Sequence, residues 1–103
     1  MKDRPHDEGM AELFKDDPAF AADYLSQLLA DGEAADLLVA LRQMALARGG
    51  IRSLAEDAQL NPTQLYRTLS ANGNPELRSL SAILRALGLR LAVQVATVKP
   101  APG

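Results

Sequence analysis

Four polar side chains crowd one stretch of this 103-residue chain: Thr63, Gln64, Arg67 and Thr68, interleaved with Leu65 and Leu69. At helical spacing the two leucines share one face and the polar groups another. A hydroxyl, an amide and a guanidinium side by side donate and accept hydrogen bonds; they are not a nucleophile with its base. The rest of the chain offers little for bond-making chemistry. General acid–base work needs convergent histidine, cysteine or paired carboxylates in a cleft. Here the lone histidine, His6, lies near the N-terminus and there is no cysteine. Asp16 and Asp17 stand directly before Pro18, a pattern that caps a helix. No enzyme, metal site, cofactor or small-molecule ligand is expected: His6 lacks companion ligands, and Met44 reads as core filler.

The elements that must position the polar stretch follow from its flanks. Residues 53–58 predict a short helix, residues 59–61 a three-residue connection, and Asn61-Pro62 the N-cap and first residue of a second helix to about Ser70. Leu54, Ala58, Leu60, Leu65 and Leu69 point inward, and Ala55 is small where the two helices must cross. Two short helices across a tight turn, the second polar and bearing an arginine, describe a DNA-reading helix-turn-helix over about Gly50 to Leu69. Upstream, Asp17-Pro18 opens a helix to about Ala30 with Phe20, Tyr24, Leu25, Leu28 and Leu29 on one stripe, stopped by Asp31-Gly32. A second helix, about residues 35–48, carries Leu37, Leu38, Leu41, Met44, Ala45 and the stem of Arg42 inward, and Gly49-Gly50 ends it. Downstream of a turn-rich loop at 71–75, a helix spans about Leu77 to Leu87, with Gly88 as its stop. Leu89, Leu91, Val93 and Val95 then alternate with Arg90, Ala92 and Gln94, the pattern of a strand at 89–95. The expectation is an all-α fold of five helices with one C-terminal β-strand. A single domain would span residues 13–95, between a flexible segment at 1–12 and a flexible tail at 96–103.

Charge is divided along the chain. Residues 1–41 carry three bases against ten acids, a net of −7, whereas residues 42–90 carry seven arginines against Glu56, Asp57 and Glu76, a net of +4. Lys99 brings the total to −2. Such polarity lets one face meet phosphate and another meet a basic partner. No stretch approaches 18 uninterrupted apolar residues and the N-terminus lacks an apolar signal core. A soluble, cytoplasmic protein without a membrane association is expected.

The stretch SLAEDAQLNPTQLYRTLSANGNPELRSLSAILRALGLRL (residues 53–91) resembles the Cro/lambda-repressor-like (XRE) helix-turn-helix class. More narrowly, it is similar to the HigA-like probable addiction module antidote family of antitoxins. The most specific part is Leu65-Tyr66-Arg67 through Leu69-Ser70, then Gly73-Asn74-Pro75, then Leu84 to Leu91. With Asp23-Tyr24-Leu25 and the leucine-rich second helix, the likeness covers about residues 14–95. Two positions depart from the pattern: Gln59 stands where the turn usually has glycine, and Thr68 where a larger apolar residue is common.

The resemblance implies a lambda-repressor-like fold and an antitoxin that represses its own operon and neutralises a RelE/HigB-like ribonuclease toxin. Carried over position by position, it makes Thr63, Gln64 and Arg67 the base-contacting residues, Arg67 offering a fork to guanine N7 and O6. Arg48, Arg52, Asn61, Tyr66 and Asn72 are its candidates for the DNA backbone. The acidic half supplies a candidate toxin-docking surface, with Asp16, Asp17 and Asp23 beside Phe20 and Tyr24. The strand needs a partner: a second copy, giving a homodimer paired through Leu89, Leu91, Val93 and Val95 and suited to double-stranded DNA with a near-palindromic operator, or else the edge of a toxin's sheet. Two other readings fit the same residues: a protein-interaction module, and an ordinary transcriptional regulator without a toxin.

Overall fold

A computed structural model describes residues 4–96. Six helices follow in order: α1 (Arg4–Asp16), α2 (Pro18–Asp31), α3 (Ala34–Ala47), α4 (Ile51–Ala58), α5 (Pro62–Thr68) and α6 (Leu77–Ala86). Helices α2 to α6 are the five expected. The joints between them have local causes. Asp17 Oδ1 accepts from the Phe20 amide at 3.0 Å, so the chain breaks after α1 and restarts at once with Pro18 in the first turn. Asn61 Oδ1 accepts from the Gln64 amide at 3.0 Å and opens α5 in the same way.

Three helix ends, those of α3, α4 and α6, share one device. After α3, the Gly50 amide donates to the Ala45 carbonyl at 2.8 Å, with Gly49 at φ 96°. After α6, the Leu89 amide donates to Leu84 at 2.7 Å, with Gly88 at φ 80°. After α4 the same bond runs from Leu60 to Ala55 at 2.9 Å, but the left-handed residue is Gln59, at φ 58° and ψ 43°. Each is the six-to-one closure of a helix C-terminus, which favours glycine at its left-handed position.

The backbones form two groups. Helices α1, α2 and α3 pack on one another, α4 packs on α5 and α6, and α3 against α4 joins the groups. A continuous core fills the space between, with Leu41, Ala45, Leu54, Ala55, Leu69 and Ile83 fully buried. Phe14 of α1 is the centre of an aromatic trio, its ring 5.8 Å from Phe20 and 5.4 Å from Tyr24.

Two expectations are corrected. The sequence pattern predicts five helices and none before Asp17, yet a further helix, α1, runs from Arg4 to Asp16. Its inward residues are Met10, Ala11 and Phe14, a short stripe that gains its stability by lying on α3 rather than from its own propensity. The strand at 89–95 is absent: among the described residues there is no strand at all. Leu89 and Leu91 pack against the core, whereas Val93 and Val95 are fully exposed. Alternation supplies the side-chain pattern of a strand, but a strand exists only with a neighbour, and no described segment runs beside this one. Leu89, Leu91, Val93 and Val95 therefore form no ladder within the described chain. The tail at 96–103 lies, beyond Ala96, outside the described residues.

Candidate nucleic-acid interface

The polar stretch lies on α5, a helix of seven residues. Its orientation is set from below and from both ends. Leu65 and Leu69 are buried in the core, Asn61 caps the first turn, and among the described helices only α4 lays its backbone against it. Burying residues 65 and 69 turns residues 63, 64 and 67 outward. Thr63, Gln64 and Arg67 are all exposed, on one face at i, i+1 and i+4, with Tyr66 beside them at 57% exposure. The Arg67 guanidinium has no partner among the described residues, so its five donors face solvent. Thr68 is half-buried, and Leu69 provides the packing.

The supporting residues divide. Arg52, in the first turn of α4, and Asn72, in the loop after α5, are exposed. Asn61 spends its side-chain oxygen on the cap. Arg48 is engaged otherwise: its Nη2 donates to the Ala86 carbonyl at the end of α6, where a cation suits the helix terminus. On the acidic side, Asp16 and Asp23 are exposed, while Asp17 is the cap of α2. Phe20 and Tyr24 are half-buried, their rings turned partly onto Phe14.

Sequence reading missed two polar ties of α3. Gln43 is 4% exposed, and its Nε2 donates to Asp7 Oδ1 of α1 at 3.0 Å. Arg42 is half-buried, and its Nη1 donates to the Leu69 carbonyl at the end of α5. The signal was there: consecutive polar residues between Leu41 and Met44 cannot both leave the core side of an otherwise apolar helix, and a buried polar group must find a partner. Around them Val39, Leu46, Ile51 and Tyr66 line a shallow groove of about 280 Å³.

Taken together, the described residues define an all-helical domain that exposes one short polar helix across a three-residue turn. None of its helices is long and apolar enough to cross a membrane. The chain belongs to the probable addiction module antidote protein family, whose model matches residues 7–95. It is also similar to an uncharacterized protein of Haemophilus influenzae, 34% identical over 71 residues that cover 69% of this chain and 72% of that one. No solved structure matches the chain at a significant level. Membership makes the chain an antitoxin of an addiction module, with a toxin of some kind as its partner.

Proposed function

We propose that the chain is a DNA-binding antitoxin, of the HigA-like branch of the Cro/lambda-repressor-like class, that represses its own operon. The observation that carries this reading is the presentation of Thr63, Gln64 and Arg67 on the exposed face of α5, beyond a three-residue turn from α4. A seven-residue helix is about 10 Å long, a length that fits the major groove with its first turn against base edges. Arg67 offers a bidentate fork to guanine, Thr63 and Gln64 read neighbouring bases, and Arg52, Asn72 and Tyr66 contact phosphates. Two copies on a near-palindromic operator would place two such helices in successive grooves.

The toxin is a RelE/HigB-like ribonuclease, neutralised through the acidic half. A protein that binds RNA presents a basic surface, and the net of −7 over residues 1–41 complements it. Asp16 and Asp23, exposed beside Phe20 and Tyr24, are the docking residues with most freedom to engage. Charge reversal at both positions, Asp16→Lys with Asp23→Lys, should slow toxin association while leaving the fold intact. Removing residues 1–32 would be uninformative, because it takes Phe14, Ala21 and Leu25 out of the core.

The decisive experiment is an electrophoretic shift with DNA from upstream of the chain's own reading frame, against scrambled DNA, at rising salt. A tight complex that survives competition by scrambled DNA supports the reading. Equal affinity for both sequences refutes base recognition, and no shift at any salt returns the domain to a protein-interaction module.

A further inference from the structure

Helix α5 is held unevenly. Its seven residues are too few to be stable alone, and among the helices only the backbone of α4 comes close to it. Its first turn is fixed by the Asn61 cap. Beyond the burial of Leu65 and Leu69, its last turn has one long-range hydrogen bond among the described residues, from Arg42 Nη1 of α3 to the Leu69 carbonyl, which joins residues 27 apart in sequence. The neighbouring Arg67 carbonyl is satisfied locally by the Ser70 amide at 3.2 Å and the Ser70 hydroxyl at 2.7 Å. Leu69 has no comparable local donor, and its carbonyl is served from α3. A guanidinium suits that place: the last carbonyls of a helix carry partial negative charge, and a charged donor makes the stronger bond.

We propose that Arg42 is a positioning residue for α5, setting the end of the helix from which Arg67 projects. The inference rests on the reading of α5 as the DNA-contacting helix, and it assigns to Arg42 no contact with DNA. Arg42 is half-buried and already spends its charge on a carbonyl. Arg67 lies two residues before Leu69, and a bidentate fork tolerates only about 0.5 Å and 10–20° of misplacement. Releasing the end of α5 therefore degrades discrimination between sequences more than it degrades attraction to phosphate. The adjacent Gln43–Asp7 bond joins α3 to α1 and does not touch α5, which makes it a built-in control.

The test compares the parent, Arg42→Met and Asp7→Ala in the full chain by amide hydrogen exchange and by binding to operator and scrambled DNA. Arg42→Met should speed exchange at the Leu69 and Ser70 amides far more than at Leu41 and Ala45 in α3. Its operator affinity should fall about tenfold, within the range of one bidentate contact, with scrambled DNA and the salt slope unchanged. Asp7→Ala should leave both the α5 amides and the operator preference at parental values. Should the methionine variant fold poorly, Arg42→Gln gives the same readouts, since its shorter side chain falls short of Leu69. Parental exchange at Leu69 and Ser70 in the Arg42 variant overturns the proposal. So does an equal loss on both DNAs with a flattened salt slope, which would make Arg42 a phosphate ligand. A parent without operator preference refutes the DNA reading instead, and the exchange data still decide the role of Arg42 in holding α5.

Discussion

Replacing Gln59 by glycine should stabilise the protein. Gln59 is the single non-glycine residue with positive φ among those described, at φ 58° and ψ 43°. An L-residue in that region carries about 1–2 kcal/mol of strain from its Cβ. Glycine removes the strain but adds about 0.5–1 kcal/mol of unfolded-state entropy. The balance is a gain of about 0.5–1 kcal/mol, and nothing else is forfeited. The Gln59 side chain is exposed, and the bonds that close α4 come from backbone amides, Gln59 to Glu56 at 3.2 Å and Leu60 to Ala55 at 2.9 Å. For a domain of this size the gain is worth about 2–8 °C in Tm. Thermal unfolding followed by circular dichroism measures it, with chemical denaturation to confirm that the midpoint moves and the slope does not. A Tm equal to or below the parent's would refute the strain argument and show that Gln59 makes up its cost through an interaction of its own. Operator binding is the second readout, and the parental value is expected, because glycine already occupies the equivalent place after α3 and α6.

Other expectations concern the same region. Arg67→Ala should cost about 1–3 kcal/mol on operator DNA and relax the preference at one base pair, measured by competition with single-site variants. Arg52→Ala should weaken all sequences alike and reduce the salt slope by about one. Gly73→Ala places a Cβ 1.8 Å from the Thr68 carbonyl oxygen, so the loop after α5 must move; a loss of about 1–3 kcal/mol is expected in denaturant titration. Leu54→Ala, at a fully buried position, should cost about 3–5 kcal/mol, and a smaller loss would mean that the α4 side of the core collapses around the gap.

Five of the six helices were legible because their signals are local. Asp17-Pro18 and Asn61-Pro62 announce the starts of α2 and α5 by cap chemistry, and Gly49 and Gly88 announce ends by backbone freedom. The exposed set Thr63, Gln64 and Arg67 followed from the placement of Leu65 and Leu69 alone. What escaped is tertiary. Gly9 and the polar run before it mask the period of α1, whose reason to be helical lies on α3. Arg48 looks free at a helix end in sequence, but its neighbour in space is the Ala86 carbonyl, 38 residues away. The Leu89-to-Val95 alternation is a case of pattern without partner: periodicity fixes which side a residue takes, and hydrogen-bond geometry requires a second backbone that no pattern supplies.

The two groups of helices joined through α3 and α4 also differ in sign. Acids gather on α1, α2 and the start of α3, arginines from the end of α3 to Arg90. Such a molecule has a dipole as well as a net charge, and the field of a polyanion exerts a torque on that dipole. At physiological ionic strength the field is felt within about 8 Å, a distance at which the chain still tumbles freely. If the chain binds DNA as proposed, approach and alignment overlap: the arginine-bearing group would be turned forward before any side chain touches phosphate. A net charge of −2 sets the average repulsion. On the proposed DNA-binding reading, the charge asymmetry would set which face arrives, so at low salt unproductive encounters would be corrected by rotation and need no separate collision.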